Sequence, residues 1–218
     1  MSRATAPGKG NPSPATAVLL PAPNRGQSPE CPAAQVDTDS SHGATPACAA
    51  AGYGRAMARK NRIQFHGANY HVGNRGVAKA TVFHSDEDHH QFLATLAGVV
   101  EEHGWRCSSY CLMRNHYHLT LTTPEPNLGA GMGRLNQLYA QWFNRRHDRV
   151  GHLFQERYWS HVIATEGDLS AAVLYILGNP VRAGICGRPE EWRWSSARAT
   201  AGLVPLPKFL DLGQLALD

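Results

Sequence analysis

The sequence lacks any apolar run long enough to cross a bilayer. A membrane-spanning helix needs about 20 consecutive apolar residues, and none of the apolar stretches in these 218 residues comes near that length. A secretory signal is also missing, because Val18-Leu19-Leu20 is far too short for the apolar core of a signal peptide. The absences predict a soluble protein with no membrane partner, although composition leaves a mitochondrial-type presequence open.

The chain contains few cysteines, and their number is odd. Two of the five cysteines lie in the first 56 residues, and the remaining three are Cys107, Cys111 and Cys186. An odd count spread in this way argues against a disulfide framework and favours a reducing compartment.

Lysine is nearly absent from the later half of the chain, where arginine supplies the positive charge. The net charge is +4 and the isoelectric point is near 8.9, so the chain is mildly basic. Arginines there alternate with Trp, Tyr and Phe, a mixture that suits phosphate binding and base stacking. A solvated surface over core aromatics would explain any one of these residues equally well.

The first 56 residues contain no Trp or Phe and are rich in Pro, Ala, Ser, Gly and Thr. Such a segment buries too little surface to offset its ordering entropy, so we expect residues 1–56 to be a disordered extension. Met57 is an alternative translation start, which would place that extension outside the native product. We expect one domain over residues 57–200 and a short tail over 201–218.

Apolar periodicity and turn residues divide the domain into seven elements. The first predicted elements are a strand at Tyr70–Val72, closed by a turn at Gly73–Gly76, and a helix that is capped by Ser85 and ends before Gly104. Strands at Trp105–Met113 and Tyr117–Thr122 follow, and then a helix at Leu128–Arg146. The last two elements are a strand at His161–Ala164 and a helix that is capped by Thr165 and ends or kinks at Asn179 before Pro180. The order β-α-β-β-α-β-α predicts an α+β fold, namely the ferredoxin-like split βαβ unit (βαββαβ) with an additional C-terminal helix.

Two histidines stand one residue apart in the predicted strand that contains Tyr117. Side chains alternate between the two faces of a strand, so His116 and His118 project to the same side. Two parallel imidazoles on a rigid strand can share one divalent cation. The pair alone is a weak signal, because a histidine on a strand is more often an ordinary polar residue.

Tyr175 and Asn179 stand four residues apart in the last predicted helix. Residues at this spacing lie one above the other on a helix face. A pair of histidines that binds a metal, together with a tyrosine nucleophile, can cut a nucleic-acid strand and hold its end covalently. A core tyrosine and a capping asparagine would produce the same spacing.

Several motifs in order give the chain a specific resemblance to a known family between about Met57 and Thr200. The motifs are Gly67-Ala68-Asn69-Tyr70-His71-Val72, Tyr110-Cys111-Leu112-Met113-Arg114-Asn115-His116-Tyr117-His118-Leu119, Phe143-Asn144-Arg145-Arg146-His147, Gly151-His152-Leu153-Phe154-Gln155-Glu156-Arg157-Tyr158, Asn179-Pro180-Val181-Arg182-Ala183-Gly184 and Trp194-Ser195-Ser196. In these motifs the chain resembles the single-tyrosine HUH transposases, specifically the REP-associated tyrosine transposases.

This resemblance implies an enzyme that cleaves and rejoins single-stranded DNA through a 5′-phosphotyrosine intermediate. It implies His116, His118 and Asn179 as ligands of Mg²⁺ or Mn²⁺ and Tyr175 as the nucleophile. It also implies hairpin-containing DNA as the partner, a monomer or homodimer, and a cytoplasmic, nucleoid-associated bacterial protein. Such an enzyme would serve a mobile element or be a domesticated relative.

Other residues are expected along the DNA path. The candidate contacts are Arg145, Arg146, Arg157, Tyr158 and Arg182. Tyr158 is also the alternative nucleophile, although no liganding Asn or Gln stands four residues after it.

Two other classes of function stay open at this point. One is a non-catalytic module of the same fold that binds single-stranded DNA or RNA. The other is a structural zinc site formed by Cys107, Cys111, His116 and His118, whose Cys-x3-Cys spacing is within the range for zinc.

Overall fold

The computed structural model describes residues 63–213 and residue 215. The predicted extension over 1–56 and the end of the predicted tail lie outside the described residues. The strands are β1 (Ala68–Arg75), β2 (Arg106–Met113), β3 (His116–Thr123) and β4 (Trp159–Ile163), and the helices are α1 (Asp86–His103), α2 (Leu128–Arg146), α3 (Glu166–Leu177), α4 (Asn179–Arg182) and α5 (Ala197–Thr200).

The four strands form one sheet in the order β2-β3-β1-β4, and every neighbouring pair is antiparallel. Each helical crossover therefore skips one position, so that β3 lies between β1 and β2 while β1 lies between β3 and β4. This is the split βαβ arrangement, and the predicted α+β fold is confirmed.

One face of the sheet is covered by α1 and α2, and the main hydrophobic core lies between them. Tyr70 and Val72 of β1 and Tyr117, Leu119 and Leu121 of β3 point into this core. From the helices come Phe92, Leu96, Leu135, Tyr139 and Phe143, all fully buried.

The helix boundaries follow the local signals in the sequence. Ser85 caps α1 in a reciprocal capping box with Asp88, and Gly104 ends that helix in a left-handed conformation with φ of 65°. α2 spans the predicted Leu128–Arg146, and the Thr165 side chain accepts a hydrogen bond from the Asp168 amide at the start of α3. These three predictions are confirmed.

The predicted turn at Gly73–Gly76 was wrong, because β1 continues to Arg75. Gly73 pairs with His118 on one side and with Trp159 on the other. A run of Gly-Asn-Arg-Gly has turn composition, but pairing with two neighbouring strands keeps it extended. The last strand likewise begins at Trp159, two residues before its predicted start.

The helical segment around Pro180 is interrupted as the sequence predicts. α3 ends at Leu177, Gly178 caps it, and the short α4 begins at Asn179. Proline has no amide hydrogen to continue the helical ladder, so a break is required here. Gly178 keeps right-handed helical angles (φ −76°, ψ −5°) between the two helices.

The segment after α4 returns to the outer strand of the sheet. Ser195 forms a bridge with Cys111, and Leu210 forms one with Cys107. The Asp211 amide donates to the Cys107 carbonyl oxygen at 2.8 Å. The described part of the predicted tail therefore covers the free edge of β2, which would otherwise offer unpaired backbone groups.

A buried carboxylate ties the start of α1 to the end of α2. Asp88 is fully buried, and its Oδ2 accepts from the His84 and Ser85 amides at 2.6 and 2.8 Å while Oδ1 accepts from Nε2 of His147 at 2.8 Å. Burial raises the pKa of Asp88, but the hydrogen bonds from His147, Ser85 and His84 outweigh burial, so the pKa lies below its ordinary value.

No helix among the described residues is long and apolar enough to cross a membrane.

Replacing Asp88 should destabilise the protein in a pH-dependent way. Asp88→Asn puts an amide NH₂ group where the carboxylate accepts two backbone N–H groups, so we expect the free energy of unfolding at neutral pH to fall by roughly 1–3 kcal/mol. Because the folded pKa lies below the unfolded value of about 3.9, the stabilisation is complete above that value and is lost as the pH falls through the folded pKa. Urea unfolding of both proteins between pH 7 and pH 3 measures the difference.

Glu102→Gln is the matched control, because Glu102 is exposed and forms only a long surface pair with Arg134 at 3.9 Å. We expect this change to leave the free energy of unfolding nearly unaltered. A difference between wild type and Asp88→Asn that does not shrink toward pH 3 would contradict the assigned role of the carboxylate.

Candidate functional site

The sheet face opposite α1 and α2 carries the histidines. Because side chains alternate along each strand, His116 and His118 of β3 and His71 of β1 share this face. α3 packs over part of it, where Ile176 contacts Cys111 and Met113. The predicted projection of His116 and His118 to the same side is therefore present; their ring centroids lie 5.0 Å apart, and the ring planes stand at 84° to each other.

Trp159 forms one wall of the site by lying across Gly73. A Cβ atom at position 73 would be only 2.5 Å from the Trp159 ring and 2.5 Å from the Tyr117 carbonyl oxygen. The absent side chain lets the indole pack edge-on against His71, with 4.7 Å between centroids, and near His118 at 5.5 Å. Position 73 is thus glycine because of a close approach, not because of a turn.

The hydrogen bonds of Asn115 select one tautomer of His116. The Asn115 Nδ2 group donates to the Lys79 carbonyl oxygen at 3.1 Å, so its Oδ1 is the atom that faces Nδ1 of His116 at 2.6 Å. Since Oδ1 can only accept, Nδ1 of His116 carries the proton. Its Nε2 then keeps a lone pair that can bind a metal.

His118 has a corresponding partner in His71. Nδ1 of His118 lies 3.1 Å from Nε2 of His71. When Nδ1 of His118 donates in this contact, Nε2 of His118 keeps its lone pair. Metal-binding histidines commonly donate their second ring nitrogen in this way, which orients the ring.

All three imidazoles are neutral at physiological pH. Burial and then the charge of Arg75 lower the pKa of His116 to about 4, and burial followed by His161 lowers that of His71 to about 4. Burial, the two neighbouring histidines and the charges of Arg182 and Arg75 lower the pKa of His118 to about 2. Neutral rings are the state in which imidazole binds metal.

Tyr175 stands beside this cluster with 47% of its surface exposed. Its ring centroid lies 6.1 Å from that of His71. The Arg182 guanidinium lies over the phenol ring, 3.9 Å from its centroid, and donates both to the Tyr175 carbonyl oxygen and to Oδ1 of Asn179 at 2.5 Å. The arginine thereby joins the predicted nucleophile to the predicted amide ligand.

The candidate donors for a divalent cation are two imidazoles and one amide oxygen. His116 and His118 offer ring nitrogens, and Oδ1 of Asn179 retains a second lone pair beside its bond to Arg182. Within residues 63–213, no three His, Cys, Asp or Glu side chains are grouped to hold a metal. Cys107 and Cys111 lie in separate apolar clusters, and burial raises the pKa of each thiol to about 12. The zinc interpretation is therefore disfavoured.

Two of the predicted DNA contacts lie away from this site. Arg145 lines a groove between α1 and α2, on the opposite side of the sheet. Arg146 pairs with Glu87 at 2.5 Å and approaches Asp88, so it is part of the helix layer.

The other predicted contacts lie closer to the histidines. Arg157 is exposed and lines a cleft together with His116, His118 and Trp159. Arg182 belongs to the site itself. Tyr158 is only 5% exposed and packs in the main core, which favours a packing role over base stacking or nucleophilic attack.

His71, Asn115 and Gly73 were not assigned roles from the sequence. His71 and Asn115 orient the two candidate ligands, and Gly73 makes room for Trp159. The alternation of β1 places His71 on the same face as His118, but this signal appears only once the register of β1 with β3 is known.

Comparison with known proteins agrees with the fold and the predicted family. The family model described as "Transposase IS200 like" matches residues 64–179, more than half of the chain. A Haemophilus influenzae protein with the provisional name REP-associated tyrosine transposase is 25% identical over 117 residues, which are 49% of this chain and 66% of that protein, just under two thirds.

A solved structure of a REP-associated tyrosine transposase bound to a REP hairpin has the same fold. The TM-score is 0.57 at 17% identity, and the match covers 72% of this chain and 96% of that one.

Binding of Mn²⁺ should depend on both the candidate ligands and their partners. We expect His116→Ala to abolish binding and His71→Leu to weaken it by roughly 10- to 100-fold, because the ring of His118 loses its orienting acceptor. His71→Gln, which can still accept a hydrogen bond, should recover part of the loss. Calorimetric titration of protein first treated with EDTA measures the affinity.

His66→Ala is the control, since His66 is exposed and pairs with Glu125. Unchanged binding in His116→Ala would contradict the assignment. Tight binding of Zn²⁺ in a parallel titration that Cys107→Ser abolishes would instead restore the zinc interpretation.

Proposed function

This chain belongs to the IS200-like transposase family, and on that premise we propose that it cleaves and rejoins single-stranded DNA through a covalent bond to Tyr175. The proposal rests above all on one observation. An exposed tyrosine, a guanidinium and two neutral histidines, supplied by α3, α4 and β3, converge on one face of the sheet.

Tyr175 would act as the nucleophile. Its Oη attacks the phosphorus of the scissile phosphodiester, an Oη–P bond forms, and the bond from phosphorus to the 3′-oxygen breaks. The phenol proton leaves to solvent, to which the side chain is half open, and the departing 3′-oxygen takes up a proton. The products are a 5′-phosphotyrosine and a free 3′-OH, and attack by a 3′-OH reverses the step.

Arg182 would stabilise charge in this reaction. Its guanidinium lies against the phenol ring and already lowers the pKa of His118 through its charge. The same cation would stabilise the additional negative charge on the phosphate as the bond to phosphorus forms. Its hydrogen bonds to the Tyr175 carbonyl and to Asn179 hold it in place.

A divalent cation completes the proposed site. Mg²⁺ or Mn²⁺ held by His116, His118 and Asn179 would supply Lewis-acid polarisation of the scissile phosphate and a template for its oxygens. His71 and Asn115 would keep the two imidazoles oriented toward it.

The proposed substrate is hairpin-containing single-stranded DNA. The solved structure with the same fold holds a REP hairpin, and this chain presents Arg157 at the cleft that contains His116 and His118. Arginine suits phosphate because its planar fork binds two oxygens at once.

One observation favours the alternative of a non-catalytic nucleic-acid-binding module. Oδ1 of Asn179 is already engaged by the Arg182 guanidinium. If that cation excluded a metal, the site would bind a phosphate without cleaving it.

The first test compares wild type with Tyr175→Phe on labelled single-stranded hairpin DNA in the presence of Mn²⁺ or EDTA. We expect a covalent protein–DNA band on denaturing gels from wild type with Mn²⁺, and none from Tyr175→Phe, because phenylalanine lacks the attacking oxygen. Tyr158→Phe is the matched control and should still form the band.

An adduct that persists in Tyr175→Phe and disappears in Tyr158→Phe would move the nucleophile to Tyr158. Tight binding without an adduct on two unrelated sets of hairpins would favour the non-catalytic module.

Arg182→Lys should separate binding from cleavage. Lysine keeps the positive charge but cannot bond the Tyr175 carbonyl and Asn179 while covering the ring. We expect the rate of adduct formation to fall by roughly 10²-fold, with hairpin affinity changed by less than about threefold. Single-turnover kinetics and filter binding measure the two quantities.

Arg198→Lys is the control, because Arg198 is an exposed arginine on α5, and this change should alter neither the rate nor the affinity. An equal fall in affinity and rate for Arg182→Lys would show that the role of Arg182 is binding alone.

A further inference from the structure

The indole of Trp159 forms a wall of the cleft that contains His116 and His118. Trp159 pairs directly with Gly73 of β1, and paired residues of neighbouring strands point to the same face of the sheet. A Cβ atom at Gly73 would lie 2.5 Å from Cζ2 and 2.9 Å from Cε2 of the indole. The ring therefore extends over the glycine toward the histidines of the next strand.

No described ring is stacked on this indole. Its aromatic neighbours are His71, His118 and His161, whose planes make angles of 81°, 62° and 46° with it. Within residues 63–213 no ring lies parallel to the indole, and no guanidinium lies over it. Trp159 is only partly buried and faces the cleft, so a planar group in the cleft can contact the ring.

The size and charge of the cleft suit a single nucleotide. Its volume is about 320 Å³, at the lower end of the range for ligand sites. Arg75 and Arg157 line it and outnumber Glu156, so a phosphate is favoured there, while the indole offers aromatic surface 5.5 Å from the His118 ring. One nucleotide can therefore place its phosphate at the histidines and its base against the indole.

We propose that a base adjoining the scissile phosphate stacks on Trp159, irrespective of which base it is, and that this contact positions the phosphate at His116 and His118. The inference rests on the proposed function, since it takes the histidine site as the place of cleavage. Every nucleobase has a planar π face, so stacking on an aromatic side chain tolerates any sequence. A phosphate held by charge alone can rotate, whereas a stacked base orients the ester for attack by Tyr175.

Stacking differs from phosphate binding in its response to salt. Each phosphate contact made by an arginine releases counterions, so its contribution to affinity falls as salt rises. A contact between two neutral rings releases none. Loss of the indole should therefore lower the affinity equally at every salt concentration, whereas Arg157→Gln should reduce the salt slope by about one.

The experiment places the fluorescent base 2-aminopurine, one position at a time, along the single-stranded flank of hairpin DNA. EDTA is present, so that binding alone is measured. The proteins are wild type, Trp159→Phe, which keeps an aromatic ring, and Trp159→Leu, which keeps only apolar bulk. Trp142→Leu is the matched control, because Trp142 lines the groove between α1 and α2 on the opposite side of the sheet. Each position is also replaced in turn by an abasic residue and by the four natural bases.

We expect wild type, Trp142→Leu and Trp159→Phe to quench 2-aminopurine at one position, and Trp159→Leu to lose that quenching because no ring remains. Trp159→Leu should bind the DNA about tenfold more weakly, with an unaltered salt slope. An abasic residue at the quenched position should weaken wild type by the same factor and Trp159→Leu hardly at all. The four natural bases there should bind wild type within about threefold of one another.

The inference is overturned if quenching persists in Trp159→Leu, if wild type quenches at no position, or if the abasic residue weakens both proteins equally. Adding Mn²⁺ tests cleavage separately, and cleavage two or more nucleotides from the quenched base would also overturn it. Adducts without quenching would leave the cleavage proposal standing and remove this one. Quenching that depends on Trp159, with no adduct in any protein, would support the stacking contact and count against cleavage.

Discussion

The pairing of β1 with β3 on one side and β4 on the other determines where every group of the candidate site lies. It brings Gly73 between His118 and Trp159, and it sets His71 beside His118. Because side chains alternate along a strand, a slip of one residue would turn His71 into the core and expose Tyr70 and Val72. Burial of Tyr70 and Val72 against the helices therefore holds the histidine cluster together from the opposite face.

The two faces of the sheet consequently have different roles, one in stability and the other in the candidate site. The helix-covered face carries the large apolar residues and the buried Asp88 network, which stabilise the fold. The other face carries imidazoles, an indole and, through α3 and α4, a phenol and a guanidinium. Desolvation by the surrounding structure keeps the imidazoles uncharged, so the cationic character near the site comes from arginine.

Local sequence signals predicted the helices and the two strands β2 and β3 well, whereas the site needed information from distant parts of the chain. Ser85, Gly104 and Thr165 mark helix ends through contacts within four residues. The roles of His71 and Asn115 depend on partners 47 and 36 residues away, respectively. Arg146 is similar, because the sequence shows a free arginine on a helix but not its pairing with Glu87 on another. Turn composition also misled at Gly73, where strand pairing and the tryptophan ring decide the conformation.

The contact between Gly73 and Trp159 has a consequence for how such a chain can change over evolutionary time. With a tryptophan at 159, any side chain at 73 would overlap the indole and the neighbouring backbone. A smaller residue at 159 would remove the overlap with the indole, but the Tyr117 carbonyl oxygen would still oppose a Cβ atom. Position 159 thus tolerates more substitutions than position 73. Among descendants of this sequence we expect the glycine to be conserved more often than the tryptophan that it accommodates.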